Sequence, residues 1–366
     1  MFSKDRKICD KESVAQKRMV EYGGLFDELH IVVLTKKNVE YRTLNVENVW
    51  IYPTNSLGIF FSLFDANRIG KRIIENLKLE IRNSCHDIVV TSQDPFETGF
   101  IGWLIARKFK LPLQLQVHTD FLNRYFSGES MKNKIRVFIA GRLIKKADCV
   151  RFVSARVRDS VISKFKIQSA SWRTKFKILP IFIDAQKIKN AQSVSFPRQP
   201  DFTILWLGRL EREKNPLLAL KVFSKVIRTI PNAELVIIGD GALRQCLKLQ
   251  ATRYKLQDRV LFTGWKDNII GYYKNADVLL VTSLYEGYGM NMVEARIAGI
   301  PVVAPDVGVA KEIGAYIAKE YTTDSMSQML IQLHSGSLPK SKEYQYPYKD
   351  KGEYLKLYKK SFERCL

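Results

Sequence analysis

The chain has 366 residues, 46% hydrophobic and 26% charged, a globular composition long enough for two domains and unlike that of a disordered segment. It carries 59 Lys and Arg against 37 Asp and Glu, and this formal charge of +22 calls for an anionic partner or surface. No apolar run reaches the roughly 20 residues that span a bilayer, and the start Met-Phe-Ser-Lys-Asp-Arg-Lys is not a signal peptide.

In chain order, the first 13 residues are unexpected. A doubly wound domain opens with an apolar strand of about five residues, yet only Met1-Phe2 precede the polar run from Ser3. The expectation is a start site placed several residues too far downstream, or a truncated edge. A helix over 12–22 leads to the turn Gly23-Gly24, and 31–34 reads as a buried strand. Then come an amphipathic helix over 64–79, a strand over 87–91 with the loop 92–95, a helix over 97–108, and a strand over 113–117 ending at His118.

From 131 to 177 the chain holds 14 Lys and Arg against Asp148 and Asp159. Within it Met131, Ile135, Phe138, Ile139 and Leu143 follow helical spacing, flanked by Lys132, Lys134, Arg136, Arg142, Lys145 and Lys146. One reading is a core-facing helix with a solvated basic face. The other is a surface drawn to anionic lipid, and both can hold together. Nucleic acid is an equally willing counter-charge, but no RRM, KH or helix-turn-helix pattern accompanies these residues, so it is not expected as a partner. Residues 1–190 hold 34 Lys and Arg against 19 acids, and 191–366 hold 25 against 18, so the excess lies in the first half.

A strand over 149–154, a helix from 155 and a strand over 178–184 close the first domain. The polar stretch 185–200, with Pro197 and Pro200, reads as a linker. The second domain opens with a strand over 203–207, the turn Gly208-Arg209, and a helix from Pro216 with Asn215 as N-cap. Strands follow over 234–238, before Gly239-Asp240-Gly241, and over 260–262, before Gly264, Trp265 and Lys266. Beyond the strand 278–281 lie Glu286, Gly287-Tyr288-Gly289, a helix over 290–298, a strand over 302–304 and a helix over 324–333.

Five scattered cysteines (Cys9, Cys85, Cys149, Cys246, Cys365) with no C-x-x-C fit reduced thiols in a cytoplasm. His30, His86, His118 and His334 form no zinc-type cluster, and no Asp-x-Asp pair is present to hold a metal. No Gly-x-Gly-x-x-Gly opens a helix with an acid about 20 positions on, which argues against a nicotinamide-dependent dehydrogenase.

Glu286 and Glu294 stand eight residues apart, separated by roughly 10 Å if the span is largely helical. That span suits a nucleotide-sugar. The glycines between them let backbone approach a ligand, and free amides at the helix start face an anion. Taken alone, each acid reads as a solvated or satisfied carboxylate.

Glu286-Gly-Tyr-Gly, four residues, then Glu294-Ala resembles the E-x7-E signature of retaining GT-B glycosyltransferases of family 4. Gly208-Arg209-Leu210 with Lys214-Asn215, Ile238-Gly239-Asp240-Gly241, 260–264 and Gly299-Ile300-Pro301-Val302-Val303 match it in order and spacing over about 200–315. The resemblance implies an α/β fold of two Rossmann-like doubly wound domains facing across a cleft. These would be an acceptor-side domain over 1–187 and a nucleotide-sugar domain over 200–340, with 341–366 crossing back as a helix. It implies a nucleoside-diphosphate-sugar donor, a hydroxyl acceptor that can be lipid-linked, retention, and no metal or other cofactor. Arg209 and Lys214 would hold the diphosphate, Glu294 the ribose, and Glu286 and His118 the transferred sugar. Gly208, Gly287, Tyr288, Gly289 and Met290 would line the donor site, with Gly241, Gly264 and Trp265 bordering the base. The basic first domain leans towards a lipid-linked or otherwise anionic acceptor at the cytoplasmic face of a membrane, as in polysaccharide, glycan or glycolipid assembly. A sugar-nucleotide epimerase of the same fold, and a basic membrane- or nucleic-acid-binding protein with an inactive pocket, are the alternatives.

Overall fold

A computed structural model describes residues 1–37, 41–80, 87–167, 174–194, 196–198 and 200–366, apart from the side chains of Ile59 and Glu80. The chain divides into two compact units, Met1–Pro180 with Asp350–Leu366 (unit 1) and Ile181–Lys349 (unit 2).

Unit 1 holds strands β1 (Phe2–Ser3), β2 (Leu29–Val33), β3 (Leu44–Val46), β4 (Val49–Pro53), β5 (Val90–Ser92), β6 (Leu113–Val117), β7 (Cys149–Phe152) and β8 (Phe176–Ile178). Its helices are α1 (Val14–Gly23), α2 (Ile59–Glu80), α3 (Glu97–Phe109), α4 (Arg124–Glu129), α5 (Met131–Ile144) and α6 (Ala155–Lys164). The sheet order is β3-β4-β2-β1-β5-β6-β7-β8, parallel except for the hairpin partner β3. Short as it is, β1 is central, pairing with β2 and β5. The residues beginning at Ser3, read above as a polar loop, therefore start one residue inside a strand.

Side-chain alternation divides the two faces of this sheet. Leu113 and Leu115 of β6 face α3, where a Cβ on Gly102 or Gly99 would meet them at 3.3 Å. Gln114 and Gln116 face the opposite way. Gln114 Nε2 donates to Ser361 O (3.1 Å), in the helix Lys351–Glu363 near the end of the chain. Tyr22 of α1 stacks on Tyr358 of that helix, with ring centroids 4.2 Å apart. Arg151 of β7 is buried there, donating to Gln116 Oε1 (3.1 Å) and the Tyr354 hydroxyl (3.2 Å).

Cys149 and Cys365 are joined in a disulfide, with Cα atoms 5.4 Å apart. The expectation of reduced thiols is thus corrected at this pair; their separation of 216 residues hides the proximity from any spacing argument. Cys9 is free and buried, Cys246 free and exposed, and Cys85 and His86 lie outside the described residues. A cavity of about 620 Å³ sits where the unit 1 strands begin, bordered by Leu29, His30, Val90 and Tyr358, at the end of the sheet opposite His118.

Unit 2 contains α7 (Ala185–Lys189), β9 (Phe202–Leu207), α8 (Pro216–Thr229), β10 (Ala233–Ile238), α9 (Arg244–Arg253), β11 (Val260–Gly264), α10 (Ile270–Tyr273) and β12 (Val278–Leu280). It continues with α11 (Met290–Ile297), β13 (Val302–Ala304), β14 (Tyr316–Ile317) and α12 (Thr323–His334). The helix Lys351–Glu363, α13, returns to unit 1. The unit 2 sheet runs β11-β10-β9-β12-β13-β14, all parallel. Its core gathers Ile204, Trp206, Leu220, Phe223, Leu235, Ile237 and Leu280. The stretch read as a linker packs on this unit instead: Val194 N donates to Gly271 O (3.0 Å), and Asn275 Nδ2 to Val194 O (2.7 Å). The backbone N–H and C=O of Val194 are thus both satisfied within unit 2.

From β9 the chain winds outward through β10 to β11, and from β12 the other way through β13 to β14. The order reverses between β9 and β12, and such a reversal opens a crevice beyond the strands' carboxyl ends. The same reversal in unit 1 falls between β1 and β5.

Candidate functional site

Two loops meet at the unit 2 crevice, 208–215 after β9 and 281–289 after β12. Thr282 fastens them together. Its hydroxyl accepts from Trp206 Nε1 (2.9 Å) and lies 3.0 and 2.9 Å from the carbonyls of Lys214 and Asn215. Tyr321 donates to Thr282 O (2.7 Å) and accepts from Asn215 Nδ2 (2.7 Å). Leu284 N donates to Glu213 O (2.8 Å). Asn215 does precede α8, but its side chain goes to Tyr321 and does not cap the helix, a correction to the sequence reading.

The consequence is an ion pair across the crevice. Lys214 Nζ lies 2.5 Å from Glu286 Oε1, and Ser283 Oγ donates to the same oxygen at 2.8 Å. Glu286 is buried and Lys214 partly so. Gly308, after β13, presses on this loop from behind with φ +50°; a Cβ there would stand 2.3 Å from Tyr288 O and 2.9 Å from Glu286 Cβ.

Gly289, at φ +92°, begins α11 with no side chain capping it and no acid in the first turn. The helix start therefore keeps amide hydrogens and positive dipole for an anion. Asn291 Nδ2 donates to Leu207 O (3.0 Å), tying that helix start to the end of β9 and so to Gly208. Met290 is exposed, whereas Tyr288 is buried, its phenol facing Tyr344, Tyr346 and Tyr348. Arg209 is exposed and pairs with Glu213 (2.6 Å), one residue before Lys214.

Glu294, in α11, accepts from the Tyr273 hydroxyl at 2.8 Å. Burial raises the pKa of Glu294, with the Tyr273 bond acting against it. Gly239 N donates to Gly264 O (2.9 Å), while Gly241 carries φ +157° against Leu210. These glycines, Arg244 and the exposed Trp265 make a second border of the crevice, at the ends of β10 and β11. Among the described residues no group of three or more His, Cys, Asp or Glu could hold a metal. Tyr273, Thr282, Ser283, Gly308 and Tyr321 escaped the sequence reading; apart from Ser283, three residues from Glu286, they meet partners up to 106 residues away, which nothing local marks.

Residues 187–342 match the family described as "Glycosyl transferases group 1". The match covers most of unit 2 and less than half of the chain. The chain is 28% identical over 241 residues to an alpha-monoglucosyldiacylglycerol synthase of Streptococcus pneumoniae, covering 62% of this chain and 53% of that protein. It is 27% identical over 280 residues to the UDP-Gal:alpha-D-GlcNAc-diphosphoundecaprenol alpha-1,3-galactosyltransferase of Escherichia coli, covering 72% of this chain and 70% of that protein. The chain thus spans little more than half the length of the first of these relatives. A solved sucrose-phosphate synthase from Thermosynechococcus elongatus superposes with TM-score 0.69 at 16% identity, over 100% of this chain and 93% of that one. At that identity the likeness shows the fold alone, and the fold is GT-B.

His118 lies outside the matched residues, beyond β6 in unit 1. Its Nε2 is 3.3 Å from Gln116 Oε1. Burial, then the charges of Arg151 and Arg18, hold its pKa down to about 3, so the imidazole is neutral in the physiological range. At the unit 1 reversal, Glu97 opens α3 beside Lys4, Arg136 (2.9 Å) and Lys132 (3.8 Å), and Lys4 also pairs with Asp94 at 3.1 Å. Burial pushes the Glu97 carboxyl up, but Lys4 and Arg136 outweigh it and hold it at about 2.

Proposed function

We propose that this chain transfers a sugar from a nucleoside-diphosphate sugar to a hydroxyl acceptor, with retention. The observation that carries the reading is the Lys214–Glu286 pair facing the uncapped start of α11 at the β9/β12 crevice. The bond from the sugar's anomeric carbon to phosphate breaks, and its electron pair stays on the departing diphosphate. Arg209, Lys214 and the α11 amides are aimed at that growing charge, so this account draws on no metal. The acceptor oxygen bonds to the anomeric carbon, and its proton passes to a departing phosphate oxygen. Glu286 orients the sugar through its hydroxyls, and Glu294 holds the ribose. The E. coli relative's name gives UDP-Gal as its donor, which puts UDP-sugars first for trial. Glycolipid and diphosphoundecaprenol in the relatives' names favour a lipid-linked acceptor at the cytoplasmic face, with the basic stretch 131–177 towards anionic lipid.

A thermal-shift screen against nucleotide-sugars tests this. A donor at 100 times its dissociation constant stabilises the folded chain by about 2.7 kcal/mol. Product analysis then separates a glycosylated acceptor from an epimerised donor. If no nucleotide-sugar shifts the transition, the proposal fails.

Tyr273→Phe isolates the second acid. Removing the hydroxyl takes away the bond that opposes burial, so the Glu294 pKa should rise further. Donor affinity should weaken severalfold, by about 1 kcal/mol, and its loss on acidification should begin at higher pH than in the wild type. A pH profile of donor affinity identical to wild type would show that Tyr273 does not govern Glu294.

A further inference from the structure

We infer that the α2–α3–α5 face of unit 1 docks on an anionic lipid bilayer, with Phe60, Phe61 and Phe64 as the side chains that enter it. The inference deepens the membrane-facing part of the proposed function and does not rest on the sugar transfer itself.

On α2, Phe60 is 84% exposed, Phe61 60% and Phe64 68%, and Leu57 just before the helix is 76% exposed. On α5, Met131, Ile135 and Phe138 are exposed at 57% or more. This corrects one reading of the sequence: of the stripe placed on this helix, only Leu143 is buried, and the helix turns Asn133, Ala140, Leu143 and Ile144 inward. Between the two helices lies α3, bound to α2 through Lys108–Glu75 (3.1 Å) and to α5 through Arg136–Glu97 (2.9 Å). Its first turn adds exposed Phe100. Apart from Phe138, at the middle of α5, these apolar groups lie in or just before the first half of each helix, the half that starts from the strands' carboxyl edge. They form a set and not the isolated exposures common on soluble surfaces.

The cations on the same helices choose the occupant. Within α5 stand Lys132, Lys134, Arg136 and Arg142, with no carboxylate. Exposed Arg68 and Arg72 continue the outer stripe of α2 beyond Phe64. The Arg142 guanidinium lies 3.5 Å from the Phe138 ring centroid, and Lys146 Nζ lies 4.4 Å from that of Trp103. Aromatic rings beside cations suit the boundary between headgroups and acyl chains. A second copy of this face would set cation against cation. Lipid accommodates projecting side chains without matching shape.

The test uses the full purified chain and sedimentation with vesicles. It should bind phosphatidylcholine vesicles containing about a third phosphatidylglycerol and leave pure phosphatidylcholine largely unbound, with binding falling in high salt. Phe60→Ser/Phe61→Ser/Phe64→Ser should weaken binding to anionic vesicles about 100-fold, and Lys132→Glu/Lys134→Glu should weaken it as well. Leu249→Ser, at an exposed apolar position in unit 2, should change nothing. Because a triple variant can misfold, Phe60→Trp provides a second reading: brominated lipid should quench its emission beyond that of the wild type. Equal binding to neutral vesicles, undiminished binding of the triple variant, or no added quenching would overturn the inference. So would binding to RNA with none to vesicles. Nucleotide-sugar binding measured without vesicles reports on the transfer proposal separately.

Discussion

Glu286→Gln is expected to lower sugar transfer about 100- to 1000-fold, the scale of losing one group that meets developing charge or fixes the reacting sugar. The substitution keeps the shape of the side chain and removes its charge. Lys214 then loses the anion 2.5 Å from its ammonium. Freed from Glu286, that ammonium is available to the diphosphate, so affinity for the free nucleoside diphosphate should hold or tighten while turnover collapses. This split separates a role in positioning the sugar from simple damage to the pocket, which would weaken both. Release of nucleoside diphosphate and its calorimetric dissociation constant are the two measurements. Wild-type turnover in Glu286→Gln would exclude the residue from the reaction.

The second large effect is structural. Gly308→Ala is expected to cost about 2–4 kcal/mol, because strain and collision add. Alanine at φ +50° costs about 1 kcal/mol or more by itself. Its Cβ would also stand 2.3 Å from the Tyr288 carbonyl oxygen, a backbone atom that moves only with the loop carrying Glu286. Gly336→Ala is the comparison: φ there is +69°, with nothing within 4 Å of the added carbon, so it carries the dihedral cost alone. Thermal unfolding should show Gly308→Ala melting several degrees below Gly336→Ala, together with weakened donor binding. Equal melting temperatures would mean that the loop yields freely, and the argument for a braced Glu286 would lapse.

Much of unit 2 could be read from the chain because buried parallel strands are continuous apolar runs, as in Val278–Leu280 and Val302–Ala304. The glycines of the crevice and Glu286 were legible for a related reason: they lie in the loops that follow such runs. Their partners were not. Tyr273 meets Glu294 across 21 residues, and Thr282 meets Lys214 across 68. A periodic pattern also leaves open which way a stripe faces. Met131, Ile135 and Phe138 keep helical spacing yet point outward, because α5 meets its neighbours through smaller and polar residues such as Ala140 and Asn133. In β6 the alternation is real but conceals burial on both faces, since Gln114 and Gln116 lie under α13. The first strand escaped notice because two residues, Phe2 and Ser3, are too short a run to read.

The covering of β6 and β7 by α13 bears on how the protein is made. Unit 1 draws Met1–Pro180 from before unit 2 in the chain and its last element, Asp350–Leu366, from after it. While unit 2 is being synthesised, Gln114, Gln116 and Arg151 lack their α13 partners Ser361, Tyr358 and Tyr354, and Cys149 stays an unpaired thiol until Cys365 leaves the ribosome. The earliest half to emerge is thus the last to close, and unit 2, continuous from Ile181 to Lys349, can fold while it waits.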